Sequence, residues 1–269
     1  MARSAILNVM VSAAMKAGRA LARDFGEVEN LQVSRKGPGD FVSAADRRAE
    51  EIIRAELEKA RPGYSFLMEE SGAHKGTDDQ HRWIVDPLDG TTNFLHSIPL
   101  FAVSIALESQ GQLVAGVILN PVTDELYVAE KGRGAFLNDR RLRVSARRDL
   151  HDAVIATGVP HLGRGDHARF MAELKAVMGE VSGIRRAGAA SLDLAWTAAG
   201  RYDAYWEHDL SPWDVAAGIL MVREAGGFVS DLEDRDRIFE TGSICAGTEE
   251  VRRDLLKLVR GARPGATGK

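Results

Sequence analysis

Residues 83–93 read Trp-Ile-Val-Asp-Pro-Leu-Asp-Gly-Thr-Thr-Asn, an apolar segment that ends abruptly in two carboxylates, a glycine and two hydroxyls. The apolar start predicts a buried strand, and sites in α/β proteins commonly lie where a strand passes into a loop. Pro87 fixes its own φ and has no N–H to donate. It can therefore direct three oxygen ligands toward one point: Asp86, the carbonyl of Leu88 and Asp89.

Gly90 and the residues after it have the features of an anion site. A glycine lets the backbone approach a ligand closely, and if residues 91–94 begin a helix, its first N–H groups can bind an anion. An isolated Asp-x-x-Asp-Gly is also typical of an ordinary turn in which one Asp caps a helix. Further acids stand at Glu69, after a strand-like segment, and at Asp214, where an acid can simply complement the dipole of an apolar helix. The residues alone leave both interpretations open.

Composition predicts a globular chain. The 269 residues are 45% hydrophobic, enough to bury a large core, which excludes a disordered tail protein or a disulfide-stapled miniprotein. Lys and Arg number 35 against 39 Asp and Glu, a net charge of −4, and the basic residues are spread along the chain. A nucleic-acid partner is therefore not indicated. The single cysteine, Cys245, can form no internal disulfide, so we expect a reducing, cytoplasmic location.

Several other catalytic chemistries are disfavoured by spacing. The seven histidines include no His-x-x-x-His pair, which argues against zinc. Cys245 lacks the arginine that a cysteine phosphatase needs five or six residues later, and is expected to be a buried strand cysteine. The nucleophile position of a haloacid-dehalogenase-like motif would fall on Pro87, which carries no acid. Residues 161–165 are rich in turn formers and are interpreted as a surface loop rather than a site.

The order of elements predicts two portions. Residues 1–147 are predicted to form helices beside a mainly antiparallel sheet, and residues 148–269 a smaller layered α/β portion. Apolar residues in the first 25 have helical spacing, unlike a signal peptide or membrane span, so no membrane partner is expected. The expected helices cover residues 4–25, 43–60, 166–178, 189–199, 213–225 and 248–259. The expected strands cover residues 64–68, 83–85, 101–108, 112–120, 125–129, 153–157, 203–206, 228–231 and 243–246.

Five motifs, taken together, resemble the inositol monophosphatase family of lithium-sensitive, magnesium-dependent phosphomonoesterases. They occur in family order, and the similarity spans roughly residues 30–230. The motifs are residues 69–71, 83–94, 131–136, 188–193 and 213–227. One family residue is missing, because the threonine that usually precedes the acid of the second helix is Ala45 here. The resemblance implies an α/β fold, the layered αβαβα sandwich of the inositol monophosphatase and fructose-1,6-bisphosphatase type, and a homodimer.

The resemblance also implies a set of metal ligands. They are Glu69, Asp86, the carbonyl of Leu88, Asp89 and Asp214. The physical chemistry of the chain agrees, because two carboxylates about 5 Å apart repel by about 3 kcal/mol at an effective dielectric near 20, and a cation must offset this. All-oxygen ligands and phosphate chemistry favour Mg²⁺, here two or three ions.

The same resemblance assigns roles to the remaining site residues. Glu69 and Thr91 are expected to position and deprotonate the attacking water, and the N–H groups of Gly90 and Thr91 to bind phosphoryl oxygens. Asp46 either supports the metal-bound water or completes a helix cap with Ser43, and both roles stay open. Lys36 either senses the bound anion or is a solvated loop lysine. The residues expected to bind the alcohol are Asp89, Gly188, Ala189, Ala190, Glu207 and Asp214. For Glu207 the alternative of a solvated loop acid stays open.

The sequence thus predicts Mg²⁺-dependent hydrolysis of a small phosphorylated polyol, with inositol 1-phosphate as the first candidate substrate. Alternatives within the enzyme class are histidinol phosphate, fructose 1,6-bisphosphate and a 3′-phosphoadenosine nucleotide. A second class also stays open, because some bacterial relatives bind the transcription machinery. The chain could then serve chiefly as a partner of RNA polymerase or of ribosome assembly.

Overall fold

The protein is described by a computed structural model at residues 3–27, 33–37 and 40–262, with the side chains of residues 33–37 and 40–43 outside the description. Its helices are α1 Ala5–Phe25, α2 Ala44–Ala60, α3 Thr91–Leu95, α4 His167–Met178, α5 Ala190–Ala198, α6 Pro212–Glu224, α7 Ile238–Thr241 and α8 Glu249–Gly261. Its strands are β1 Val33–Gly37, β2 Asp40–Ser43, β3 Ser65–Met68, β4 Gly72–His74, β5 His81–Asp89, β6 Ala102–Ser109, β7 Gln112–Asn120, β8 Glu125–Glu130, β9 Gly134–Leu137, β10 Arg140–Arg141, β11 Val154–Thr157, β12 Gly183–Arg185, β13 Ala204–Glu207, β14 Phe228–Ser230 and β15 Ile244–Gly247.

Two mixed sheets organise these strands. The large sheet has the order β10-β9-β8-β7-β6-β5-β3-β4, in which β3 runs parallel to β5 and the other neighbours are antiparallel. The small sheet has the order β12-β11-β13-β15-β14, with β11 parallel to both of its neighbours. The mainly antiparallel sheet predicted for the first portion is therefore confirmed.

The layers follow from the alternation of side chains along the strands. In β5, Trp83 and Val85 pack toward α1 and α2, whereas Ile84 packs in the core that contains α5 and α6. The small sheet covers the other side of α5 and α6, and α4 and α8 cover its far face. The order is helices, large sheet, helices, small sheet, helices, so the predicted layered α/β sandwich is confirmed.

Helix α1 is, within the described ranges, the one helix long and apolar enough to cross a membrane, and it lies near the N-terminus. Its apolar side chains, including Leu7, Met10 and Leu21, are completely buried against α2 and the large sheet. Ser4 caps the helix by accepting a hydrogen bond from the N–H of Leu7. These contacts are those of a core helix in a globular protein, as its helical spacing predicts.

The structure departs from the predicted elements in several places. The backbone of residues 33–37 and 40–43 forms an antiparallel pair, β1 and β2, where a connection was expected. Strand β5 continues to Asp89, beyond the predicted end at residue 85. The short elements β4, β9, β10, β12 and α7 were missed, because two to four residues carry too little periodicity to be recognised. The boundary between residues 147 and 148 stays a prediction.

Candidate functional site

The end of β5 forms the floor of the candidate site. Its pairing with β6 is interrupted between Asp86 and Asp89, where Pro87 cannot donate a ladder hydrogen bond. Asp86 is 2% exposed, and its Oδ1 accepts a hydrogen bond from the N–H of Leu88 at 2.9 Å. Gly90 follows with a left-handed φ of 92°, and a Cβ there would lie 2.9 Å from the carbonyl oxygen of Leu100. The expected helix then begins at Thr91, although α3 is only five residues long.

Three other elements bring their side chains to this floor. The N–H of Glu69, just after β3, donates to the carbonyl of Val85 at 3.1 Å, which holds Glu69 beside the end of β5. Asp214 lies in the first turn of α6 in a capping box with Ser211, whose N–H donates to its Oδ2 at 2.7 Å. At the start of α5, Ser191 donates to Asp89 Oδ2 from its N–H at 2.7 Å and also from its hydroxyl.

One cavity of about 200 Å³ joins these groups. The structure therefore brings together acids that are far apart in the sequence. The predicted site residues that line the cavity are Glu69, Asp86, Leu88, Asp89, Gly90, Thr91, Gly188, Ala189, Ala190, Glu207 and Asp214. The side chain of Lys36 lies outside the described residues.

Asp46 lies next to the cavity residues rather than on the cavity wall itself. The hydroxyl of Thr91 lies 3.0 Å from the carbonyl oxygen of Leu88 and 3.3 Å from Asp46 Oδ2, and its single hydrogen can go to either acceptor. Carboxylate oxygens of Asp46, Glu69 and Glu70 also lie within 4.8 Å of one another. This arrangement places Asp46 within the acidic cluster. Its alternative role in a cap with Ser43 stays a prediction, because the side chain of Ser43 lies outside the description.

Burial and mutual repulsion dominate the electrostatics of the floor. The pKa of Asp86 is raised well above its ordinary value, first by burial and then by the charges of Glu69 and Asp89. Burial also raises the pKa of Asp89 to about 6, although hydrogen bonds from Ser191 oppose the shift. The pKa of Asp214 is raised by burial and by Asp89 in the same way. Such a set of oxygen donors fits a hard divalent cation, whose charge would reverse each of these shifts.

The opposite side of the cavity carries the predicted alcohol-binding groups. Glu207, at the end of β13, accepts a hydrogen bond from the hydroxyl of Tyr205 at 2.5 Å. Burial, and to a smaller extent the charge of Asp89, raise the pKa of Glu207 to about 7, although the hydrogen bond from Tyr205 and the guanidinium of Arg186 oppose the shift. Gly188 has a left-handed φ of 84°, and a Cβ there would lie 2.5 Å from a guanidinium nitrogen of Arg186.

Some cavity residues were missed by sequence reasoning. His161 and Arg164 line the cavity, so the segment interpreted as a surface loop contributes to its wall. Arg186 and Asp209 line it too, and Glu70 joins the acidic cluster. Only Glu70 had a local signal, since it directly follows Glu69. The other four residues lie in loops. The path of these loops depends on how the small sheet packs, and no local sequence pattern predicts that packing.

Comparison with known proteins decides the family. The model of the inositol monophosphatase family matches residues 2–263. The chain is 69% identical over 260 residues to the inositol-1-monophosphatase of Mesorhizobium japonicum, covering 97% of this chain and 98% of that protein. The chain belongs to the inositol monophosphatase family. It is thereby a phosphoric monoester hydrolase, in a family that is Mg²⁺-dependent as a rule.

Two further similarities concern proteins with other names. The structure matches that of the extragenic suppressor protein suhB from Bartonella henselae with a TM-score of 0.94 at 65% identity, covering 96% of this chain and 99% of that one. The Nus factor SuhB of Pseudomonas aeruginosa is 44% identical over 259 residues, covering 95% of this chain and 96% of that protein. Solved inositol monophosphatases share the fold as well.

Proposed function

We propose that the protein hydrolyses a small phosphorylated polyol, inositol 1-phosphate above all, to the alcohol and inorganic phosphate with Mg²⁺ as the cofactor. The main support for the proposal is that four acids line one cavity: Glu69, Asp86, Asp89 and Asp214. Family membership and the name of the relative from Mesorhizobium japonicum support the choice of substrate.

The proposed metal ligands are Glu69, Asp86, the carbonyl of Leu88, Asp89 and Asp214. Two or three Mg²⁺ ions, when bound, supply positive charge that offsets the carboxylates and the phosphate and that favours a deprotonated water. The chain itself keeps the donors at fixed places: Leu88 N–H holds Asp86, Ser191 holds Asp89, and the capping box holds Asp214. The site is thus organised in advance of the reaction.

Glu69 and Thr91 are proposed to act on the attacking water. Thr91 accepts the water's hydrogen bond while its own hydrogen goes to Asp46 or to the carbonyl of Leu88, and Glu69 takes the proton. The N–H groups of Gly90 and Thr91 bind the phosphoryl oxygens. Asp46 therefore supports catalysis by orienting the hydroxyl of Thr91.

Recognition of the alcohol is proposed for the other side of the cavity. Carboxylates suit a polyol, because each oxygen accepts hydrogen bonds from hydroxyl groups. The proposed contacts are Asp89, Glu207, Asp214 and the backbone of residues 188–190. In the proposed division of the chain, residues 1–147 hold most metal ligands, and residues 148–269 supply Asp214 and most of the alcohol contacts.

Replacing Thr91 tests the proposed path of hydrogen bonds. Thr91→Ala removes the hydroxyl and is expected to lower kcat by about a hundredfold, because general acid–base catalysis needs an oriented water. Thr91→Ser keeps the hydroxyl and is the matched control, expected to retain most of the activity. Equal kcat values for Thr91→Ala and Thr91→Ser, measured as phosphate release at saturating inositol 1-phosphate, would contradict the assignment.

The function itself is tested by phosphate release from inositol 1-phosphate with Mg²⁺, with excess chelator, and with added Li⁺. We expect activity with Mg²⁺, none in chelator, and inhibition by Li⁺. A panel containing histidinol phosphate and fructose 1,6-bisphosphate fixes the substrate, since a higher kcat/KM on either would replace inositol 1-phosphate. Activity that persists in excess chelator would contradict the assignment of Mg²⁺ as the cofactor.

A cytoplasmic homodimer is proposed for the protein in the cell, on family resemblance and on the single cysteine. Light scattering on the purified protein checks the dimer. The role as a partner of the transcription machinery is supported by the names of relatives at lower identity, such as the Nus factor SuhB of Pseudomonas aeruginosa at 44%, whereas the relative from Mesorhizobium japonicum at 69% is named for hydrolysis, so hydrolysis is the function proposed here. If Asp86→Asn abolished hydrolysis but left the cellular phenotype of the wild type intact, the partner role would take its place.

A further inference from the structure

The segment that links β13 to α6 runs along the alcohol side of the cavity, with Glu207 at its start and Asp214 just beyond its end. Asp209, in its middle, has a left-handed φ of 59°, a conformation that a non-glycine residue keeps only when its surroundings enforce it. The N–H of Leu210 donates to the carbonyl of Gly242 at 2.8 Å, and Ser211 is held by Asp214. The second half of the segment is thus anchored by the backbone and by the cap of α6.

The first half is anchored by a side chain instead. His208 Nε2 lies 2.8 Å from Glu173 Oε2, and Arg169 Nε lies 2.9 Å from Glu173 Oε1, so both oxygens of this carboxylate are engaged. The side chain of Glu173, on α4, is 0% exposed. Burial alone would raise the pKa of Glu173, but the hydrogen bonds and charges of His208 and Arg169 outweigh it and lower that pKa. An ionised carboxylate only accepts, so His208 Nε2 donates.

A second cavity, of about 140 Å³, lies behind Glu207. Its walls include Arg169, Phe170 and His208, and it shares Glu207 and Asp209 with the catalytic cavity. The two cavities also share residues 158, 159, 161 and 164, so they are adjoining parts of one cleft, and His208 borders the second part. Glu207 itself is held by the hydroxyl of Tyr205, by packing against Gly158 and by the pairing of β13 with β15. The hydrogen bond from His208 to Glu173 adds an anchor immediately after Glu207.

We propose that Glu173, through its hydrogen bond with His208, is a positioning residue that holds Glu207 against the alcohol group of the substrate. The proposal rests on the function proposed above for Glu207. Loss of the tether lets His208 move into the second cavity and loosens the adjoining end of β13, which weakens the contact of Glu207 with the substrate's hydroxyls. Glu69, Asp86 and Asp89 are held by other elements, and Asp214 by the cap of α6 in the anchored second half of the segment, so transfer of the phosphoryl group to water is unaffected.

The experiment compares two substrates in four variants. His208→Phe keeps a ring but removes the donor, Glu173→Met removes the acceptor from the other side, and the double variant removes both. His208→Gln is the conservative variant, because its amide nitrogen can still donate to Glu173. The substrates are inositol 1-phosphate and p-nitrophenyl phosphate, whose leaving group carries no further hydroxyl for Glu207 to bind.

His208→Phe and Glu173→Met are each expected to raise KM for inositol 1-phosphate by about tenfold with kcat nearly unchanged, the pattern of lost uniform binding. Kinetics on p-nitrophenyl phosphate should stay at the wild-type level. The double variant should equal either single variant, and His208→Gln should restore the KM. A wild-type KM in both single variants, or the same loss on both substrates, would overturn the proposal.

A matched control lies at the opposite end of β13. Asp203 is also a buried carboxylate, accepting from the N–H of Val154 at 2.7 Å and paired with Arg147 at 3.3 Å. Asp203→Asn should lower the Tm but leave both KM values unchanged. A rise in KM for inositol 1-phosphate in this variant would show that general loosening explains the effect, which would also overturn the proposal.

Hydrogen exchange separates failure of this inference from failure of the proposed function. The amides of residues 208–210 should exchange faster in His208→Phe than in the wild type or in His208→Gln, whatever the substrate is. If the wild type releases no phosphate from inositol 1-phosphate, the proposed function fails, while faster exchange still supports the tether. Unchanged exchange in both His208→Phe and Glu173→Met contradicts the tether itself.

Discussion

Asp86→Asn is expected to lower phosphate release by about a thousandfold, about 4 kcal/mol of transition-state stabilisation, and at the same time to raise the Tm of the metal-free protein. The carboxylate of Asp86 is buried beside Glu69, Asp89 and Asp214, which disfavours its charge. An amide of the same shape can still accept the hydrogen bond from Leu88 N–H, but it adds no repulsion and binds Mg²⁺ poorly. Activity and stability therefore move in opposite directions.

The measurement is a thermal melt at pH 8 in chelator and again in Mg²⁺, beside the assay of phosphate release. In chelator we expect Asp86→Asn to melt roughly 2–4 °C above the wild type, the shift produced by about 1 kcal/mol in a chain of this size. Mg²⁺ should raise the Tm of the wild type, whereas it should raise the Tm of Asp86→Asn little or not at all. Asp236→Asn, an exposed acid paired with Arg223, is the control expected to behave as wild type. A variant that keeps its activity and its response to Mg²⁺ would remove Asp86 from the ligand set.

The stability of the metal-free protein should fall as the pH rises from about 4 to about 7. Asp89 has a pKa of about 6 in the folded state against 3.8 when unperturbed, so in this interval the folded state binds more protons than the unfolded state. The free energy of unfolding therefore decreases with pH, by about 3 kcal/mol from Asp89 alone once the pH is above both values. The raised pKa values of Asp86, Asp214 and Glu207 act in the same direction.

This pH dependence is checked by chemical denaturation in chelator at pH 5 and pH 8. We expect the protein to be more stable at pH 5, although most soluble proteins lose carboxylate pairing toward acid. Added Mg²⁺ should stabilise the protein far more at pH 8, because metal ligands must be deprotonated to bind. The same measurement on Asp86→Asn should show a smaller decline. A free energy of unfolding that rises between pH 5 and pH 8 in chelator would contradict the repulsion assigned to the acidic floor.

Sequence reasoning located the longer elements well, because each carries several turns or pairs of periodic apolar residues. Strand β7 has its predicted bounds, and α1 and α4 begin within a residue of the predicted start. The family resemblance supplied the layering, which periodicity alone could not. The β1–β2 pair was missed because its residues lack the alternation that marks a strand.

The candidate site was predictable to different degrees on its two sides. Asp86 and Asp89, in the acidic floor of the cavity, are close in sequence at the end of one strand. A local motif is therefore enough to predict them. Arg186 and Asp209 reach the cavity only because the small sheet folds back over α5 and α6. The tether between Glu173 and His208 joins residues 35 positions apart and belongs to no motif, so only the folded chain reveals it.

The shared layer of α5 and α6 has a consequence for synthesis on the ribosome. The nascent large sheet is complete at Arg141, yet the face bearing Ile84, Ile118 and Tyr127 is covered only by helices that end at Glu224, roughly eighty residues later. Since translation adds about 5–20 residues per second, that apolar face remains uncovered for several seconds. A truncated translation product that stops between these points would display it permanently and become a target for chaperones and aggregation.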